Sequence, residues 1–140
     1  MTLVEIYADL RRRGCLFFSG DYDLDAGADA VTIKMQDGFG VFLDDRRITT
    51  TAKEKVAASH EWAHIVEDAT YGIEAPPELV RMAEYIATRR QYEAVLPWGV
   101  ISRYLRRGCS SWDIAETEGL TQAFVEKAIE YWTTKRGKKA

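Results

Sequence analysis

The sequence contains little cysteine and no long apolar run. Cys15 and Cys109 are the only cysteines, and they form no Cys-x-x-Cys arrangement, so neither a thiolate zinc cluster nor a disulfide framework is indicated. No apolar run approaches the roughly 20 residues that span a bilayer, and the first residues lack the basic-then-apolar order of a signal peptide. We therefore expect a soluble, cytoplasmic protein with reduced thiols and no membrane contact.

Concentrated charge of one sign is also missing. The net charge is −3, and residues 103–140 carry 8 basic and 5 acidic side chains. Nucleic-acid-binding domains normally show a concentrated basic face, so the composition gives no support to that class. With 140 residues and 46% hydrophobic content, the chain can bury its own core but has no room for a second full domain. We expect a single domain over residues 1–140.

Histidine is scarce, and its placement is the most informative feature of the chain. His60 and His64 are the only histidines, and with Glu61 they form a His-Glu-x-x-His motif. On a helix, residues four apart project from one face, so both imidazoles can reach one metal ion while Glu61 lies beside it. The surrounding residues are apolar on nearly all sides, which predicts a core helix where an unpaired carboxylate would be costly. The alternative is an amphipathic helix whose histidines are ordinary core groups.

Local patterns predict an α+β arrangement. Capping boxes, the Pro76-Pro77 pair and glycines mark the ends of helices, and Asp-Gly between two alternating runs marks a hairpin. The predicted helices cover about 3–13, about 52–68 with Thr51 as N-cap, from Pro76-Pro77 to before Pro97, from there to Gly108, and a pair within 111–132 joined at a glycine. The predicted strands are 15–18, 30–35 and 39–43, and they give a small antiparallel sheet. The C-terminal pair has the layout of a helix-turn-helix.

Two polar stretches are interpreted as solvated segments without a binding role. The segment 20–29 is rich in aspartate, but the glutamate and glycine positions of an EF-hand calcium loop are absent, which favours a solvated loop. The basic tail from Lys135 onward is predicted to be a solvated end.

Glu84 lies on the flank of an apolar stripe in the predicted helix that follows Pro77. It faces the same way as Thr88 and Gln91, close to the core. A carboxylate in that position needs a partner, and a salt bridge with Arg81 or Arg89 would suffice. The residues alone therefore leave the role of Glu84 open.

Three stretches together resemble the ImmA/IrrE metallo-endopeptidases of phages and mobile elements. Members of that family typically show a run similar to 54–64, then a downstream Glu-x-x-Ala that precedes a Leu-Pro or Ile-Pro, and finally a segment similar to 108–116. In this chain the Glu-x-x-Ala covers 84–87, and Leu96-Pro97 follows it. The likeness covers nearly the whole chain.

The resemblance implies both a fold and a set of ligands. It implies a zincin-like helical core, with a helix and small sheet in 1–50, metal-binding helices in 51–97 and C-terminal helices in 98–140. It also makes Glu84 the third ligand of a Zn²⁺ ion beside His60 and His64. Because characterised relatives cut helix-turn-helix repressors, such a repressor of a phage or mobile element is the expected partner and substrate.

Two positions depart from the family pattern. Trp62-Ala63 replaces the usual Leu-Gly inside the motif and leaves the ligands untouched. Thr88 stands where the family favours Asp or Asn, four residues after the third ligand. That position is expected to hydrogen-bond a ligand imidazole, and a hydroxyl accepts such a bond more weakly than a carboxylate.

The sequence thus predicts a zinc-dependent endopeptidase in which Glu61 is the catalytic base. A second electrophile for the oxyanion, Tyr71 or Tyr92, cannot be assigned from sequence. The alternative is a non-catalytic regulator, in which a weakened metal site shapes a surface that binds a repressor or another protein. A DNA-binding role is disfavoured, because the second helix of the C-terminal pair offers phosphates two negative charges against one positive. The side chains that this helix would present to DNA are Gln122, Glu126, Lys127 and Glu130.

Overall fold

The computed structural model describes residues 1–22, 24 and 28–137. Residues 23 and 25–27 of the predicted acidic loop, and residues 138–140 of the basic tail, lie outside the described residues. The described chain contains, in order, helix α1 Leu3–Arg12, strands β1 Leu16–Gly20, β2 Ala30–Met35 and β3 Gly38–Asp44, and helices α2 Thr51–Val66, α3 Pro77–Val95, α4 Trp98–Arg106, α5 Ser111–Glu118 and α6 Gln122–Gly137. The fold class is therefore mixed α+β, as predicted.

Side-chain caps set the starts of the first two long helices. Thr2 and Glu5 form the predicted capping box of α1. The predicted cap of α2 is wrong by one residue: Thr50 is the N-cap, because its hydroxyl accepts a hydrogen bond from the Lys53 backbone amide at 3.1 Å. Glu54 instead accepts a hydrogen bond from the Tyr7 hydroxyl at 2.6 Å, which ties α2 to α1.

The sheet is mixed, with strand order β1-β3-β2. The predicted hairpin is confirmed, since β2 and β3 pair antiparallel with Thr32 opposite Val41. The prediction of a wholly antiparallel sheet is wrong, because β1 pairs parallel with β3 and places Phe17 beside Val41. The hairpin leaves the far edge of β3 unpaired, and β1 occupies that edge. The end of β1 and the start of β2 lie at the same end of the sheet, where Gly20 and Ala30 pair with Asp44 and Leu43 of β3.

Helix α2 lies between the sheet and α3, within two hydrophobic clusters. One cluster joins α1, the sheet and the far half of α2 through residues that include Leu10, Val41 and Trp62. The second joins the end of α3 to α4, α5 and α6 and is centred on Ile101, Ile114 and Val125, all fully buried. Both clusters remove apolar side chains from water, which is the main stabilising contribution to the fold. Helix α2 therefore packs against the sheet on one side and against the other helices on the opposite side.

The C-terminal helices form a tight pair. Gly119 has φ +66°, a left-handed conformation that ends α5, and the Thr121 hydroxyl accepts a hydrogen bond from the Phe124 amide at the start of α6. The buried amine of Lys55 on α2 donates to the Glu118 carbonyl at 2.6 Å, so the end of α5 is bonded directly to the motif helix. Among the described residues, no helix is long and apolar enough to cross a membrane.

Candidate metal centre

Both histidines of the motif project from one face of α2. Their Nε2 atoms lie 3.2 Å apart, and the two rings meet edge to face with centroids 4.8 Å apart. His64 is buried, whereas His60 is partly open to solvent. The helical spacing of four thus brings both ring nitrogens to one point, as the sequence predicts.

Glu84 reaches the same point from α3. Its Oε2 atom lies 2.8 Å from His60 Nε2 and 3.2 Å from His64 Nε2. Zinc held at bond lengths of ~2.0–2.1 Å in a tetrahedron has neighbouring ligand atoms about 3.3 Å apart. The three atoms therefore already stand close to the edge lengths of that tetrahedron. The donor set and its spacing fit a metal ion, and these three residues form a group that could hold one.

The salt-bridge alternative for Glu84 finds no support among the described residues. Arg89 forms an ion pair with Glu93 on its own helix at 3.8 Å, and the ion pairs of Glu84 within the described chain are with the two histidines rather than with Arg81 or Arg89. The carboxylate has therefore been directed at the imidazoles rather than at a neighbouring arginine.

The remaining ring nitrogens are each held by an oxygen. His64 Nδ1–H donates to the Ala69 carbonyl at 2.7 Å, just beyond the end of α2. His60 Nδ1–H donates to Gln91 Oε1 at 3.2 Å. Within the described chain no hydrogen bond joins the Thr88 hydroxyl to a site residue, and Gln91 makes the contact predicted for Thr88. Hydrogen bonds at Nδ1, such as those of His60 and His64, orient the imidazole ring and leave Nε2 free to bind a metal.

Glu61 is buried beside the group formed by His60, His64 and Glu84. The Thr32 hydroxyl on β2 donates to its Oε1 atom at 2.9 Å. Burial raises the pKa of Glu61 above its usual range, although the nearby histidines and Thr32 oppose the shift. A carboxylate with a raised pKa can take up and release a proton closer to neutral pH than an exposed one.

Hydrogen bonds within the site outweigh the effect of burial on the pKa of Glu84 and of His60. Burial alone would raise the pKa of Glu84, but the hydrogen bonds with His60, His64 and Tyr71 hold it well below its usual range. Burial alone would lower the pKa of His60, but the hydrogen bond with Glu84 and the charge of Glu61 raise it. An ionised Glu84 is the form that a metal ligand requires.

The structure separates the two tyrosines that sequence could not place. The Tyr71 hydroxyl donates to Glu84 Oε1 at 2.7 Å, and its ring lies against His64. Tyr92 instead packs against Phe124 and Tyr131 in the second cluster, away from the histidines. Only Tyr71 therefore belongs to the site.

Sequence reasoning did not give roles to Gln91 and Thr32. Gln91 carried a usable signal, because it follows Glu84 by seven residues and so lies two turns along the same face of α3. Thr32 carried none, because its contact depends on how β2 packs across α2.

Comparison of the chain with protein-family models, with curated proteins and with solved structures finds no match.

Proposed function

We propose that this protein is a zinc-dependent endopeptidase. The observation that carries the proposal is the convergence of His60 Nε2, His64 Nε2 and Glu84 Oε2 within 3.2 Å, beside the buried carboxylate of Glu61. Two imidazoles and one carboxylate are a typical ligand set of catalytic zinc, since they leave one position of a tetrahedron open. Structural zinc sites have four protein ligands.

Zinc at such a site supplies Lewis acidity, which acidifies water and polarises a peptide carbonyl. His60, His64 and Glu84 bind it, and Gln91, the Ala69 carbonyl and Tyr71 orient those ligands through the hydrogen bonds described above. The burial of His64 excludes bulk water from the inner side of the site.

Glu61 is the base in this proposal. Thr32 holds its Oε1 atom, and within the described chain Oε2 has no hydrogen-bond partner, which leaves Oε2 to accept a proton from the attacking water. The same oxygen then passes the proton to the nitrogen of the leaving amine. The raised pKa of Glu61 suits this exchange, because the protonated form is closer in free energy than for an exposed glutamate.

The edge of β2 is the proposed binding site for the substrate backbone. Strand β2 is an outer strand of the described sheet, and its Thr32 reaches the catalytic base. An extended peptide can add a strand to such an edge through main-chain hydrogen bonds, while its side chains give specificity. A peptide bound there would lie next to Glu61.

The substrate class follows from the resemblance to the ImmA/IrrE family, and it is a proposal for this chain. In that view the histidine helix and α3 form a zincin-like core, and α5 with α6 forms a helix-turn-helix-like pair. The substrate is a helix-turn-helix repressor of a phage or mobile element, and the reaction is hydrolysis of one of its peptide bonds.

A matched pair of proteins tests the proposal. Wild type and Glu61→Gln, each loaded with zinc, are incubated with helix-turn-helix repressors encoded beside this gene, with and without a chelator. Cleavage is followed by gel and mass spectrometry. The variant keeps the shape of the side chain and removes the base, so zinc content and fold should persist while hydrolysis falls roughly 10²- to 10⁴-fold.

The outcomes separate enzyme from regulator. Cleavage by wild type that the chelator stops and that Glu61→Gln largely loses supports the peptidase. Chelator-insensitive cleavage, or equal cleavage by both proteins, overturns it. Tight binding of a repressor by both proteins with no cleavage by either favours the non-catalytic regulator.

A further inference from the structure

Gln91 is a buried amide with both of its ends bonded. Its side chain is only 3% exposed and lies on α3, in contact with α2. The amide nitrogen donates to the Val56 carbonyl at 2.8 Å and to Ser59 Oγ at 2.7 Å, and the amide oxygen faces His60 Nδ1 at 3.2 Å. A buried amide that spans three partners on another helix is costly to misplace.

The partners fix which way round the amide stands. The Val56 carbonyl can only accept a hydrogen bond, and the Ser59 hydroxyl already donates to that carbonyl at 3.1 Å. Both therefore face Gln91 as acceptors, and they require its NH₂ group. A reversed amide would set its oxygen against the Val56 carbonyl oxygen. Oε1 must then be the atom that faces His60, and only a protonated Nδ1 can bond to it.

Helix α3 thus holds both nitrogens of the His60 ring. Glu84 faces Nε2, and Gln91, two turns further along the same helix, faces Nδ1. With the proton held on Nδ1, the lone pair of Nε2 points to the place where His64 and Glu84 converge. A histidine binds a metal through one nitrogen, and the bond made by the other nitrogen decides which one it is.

We propose that Gln91 is a positioning residue that keeps His60 in the Nδ1-protonated form, with Nε2 presented to the metal. This inference rests on the proposed zinc site. It assigns to Gln91 the part that Asp or Asn was expected to play at the position of Thr88. The amide oxygen accepts the hydrogen bond from His60 Nδ1–H, and the hydrogen bonds of the amide nitrogen only orient that oxygen.

The test uses zinc and the metal-loaded, full-length protein. Because the chain has only two histidines, ¹⁵N-labelling of histidine gives one Nδ1–H signal from each ring in NMR spectra. In Gln91→Met, which keeps the side-chain length, the His60 signal should be lost to solvent exchange. The His64 signal should persist because the Ala69 carbonyl holds it. Zinc affinity should fall about 10- to 100-fold.

A further variant separates positioning from simple support of the fold. Ser59→Ala removes one partner of the Gln91 amide nitrogen on α2 but leaves Oε1 facing His60 Nδ1. Positioning predicts that Ser59→Ala retains the His60 signal and a zinc affinity close to that of wild type. Weakening of zinc binding in Ser59→Ala equal to that in Gln91→Met would show that only the tie to α2 matters, and would overturn the proposal.

Failure of this inference differs from failure of the zinc site itself. If wild type binds zinc and Gln91→Met binds it equally well with both signals intact, the zinc site stands and the role of Gln91 is wrong. If wild type takes up no zinc, the proposed function is wrong, and the role of Gln91 is wrong with it.

Discussion

Thr32 on the outer strand β2 donates a hydrogen bond to Glu61 on α2, with 2.9 Å between Oγ1 and Oε1. The bond joins the sheet to the motif helix at the carboxylate proposed as the base. It fixes one oxygen of Glu61, so the direction of the other oxygen is fixed as well. The strand proposed to bind substrate is thereby the strand that orients the proposed base.

Replacing Thr32 by valine should slow hydrolysis without removing the metal. Valine has nearly the same shape but no hydroxyl, and a hydrogen bond to a charged group contributes about 1.5–3 kcal/mol, which corresponds to roughly 10- to 100-fold in rate. The rate of repressor cleavage and the zinc content of Thr32→Val are measured against Thr49→Val, whose exposed hydroxyl accepts a hydrogen bond from the Lys53 amine. An unchanged rate in Thr32→Val would show that Glu61 does not need this bond.

His64→Ala and Glu84→Ala should each abolish tight zinc binding. Two remaining protein ligands rarely hold the ion against solvent and competing chelators. Competition with a chromophoric chelator measures the affinity, and Glu78→Ala, an exposed glutamate at the start of the same α3 helix, serves as the control. Full zinc occupancy in Glu84→Ala would show that Glu84 is not the third ligand beside the two histidines.

Tyr71→Phe should weaken zinc binding modestly. The ring is kept, but Glu84 Oε1 loses the hydroxyl that orients the carboxylate. Because Tyr71 is 39% exposed, water replaces part of the lost bond, and we expect a fall of about threefold to tenfold in affinity. Tyr92→Phe is the matched control, since Tyr92 packs in the other cluster. If both variants bind zinc as wild type does, the hydroxyl of Tyr71 does not support the ligand.

Asp9 should make the stability of the protein depend on acid pH. It accepts hydrogen bonds from Trp62 Nε1 and Arg13 Nε, both at 2.8 Å, and from Arg12. Burial alone would raise the pKa of Asp9, but these bonds lower it to about 2. The folded pKa lies below the unfolded value of about 3.9, so the stabilisation is complete above that pH and is lost as the pH falls toward 2.

Chemical unfolding of wild type and Asp9→Asn measures this contribution. The two arginines are partly exposed, so we expect a difference of about 1 kcal/mol in the free energy of unfolding at pH 7, and a smaller one at pH 3. Asp37→Asn, at an exposed turn, controls for the loss of a carboxylate. A difference that is the same at both pH values would show that Asp9 titrates alike in the folded and unfolded chain.

Features encoded locally could be predicted from the sequence. The Thr2 cap, the Asp-Gly hairpin and the proline start of α3 each depend on residues within a few positions of one another. The convergence of His60 and His64 is of the same kind, because helix geometry alone brings residues four apart to one face.

Features that depend on distant packing could not be predicted in the same way. The parallel pairing of β1 with β3 joins residues far apart in the sequence, such as Leu16 and Gly40, and no local pattern encodes it. The Thr32 bond to Glu61 needs the sheet to lie across α2. The sequence indicates which face of its helix carries Glu84. Its contact with His60, however, depends on how α3 packs against α2.

The metal content of protein purified without added zinc tests the central claim most directly. Elemental analysis by mass spectrometry gives the amount of each metal per chain in wild type and in His64→Ala. We predict near-stoichiometric zinc in wild type and little or none in the variant, with both proteins folded by circular dichroism. A folded wild-type protein that carries no zinc, and takes none up when zinc is added, would contradict the claim that His60, His64 and Glu84 form a catalytic metal site.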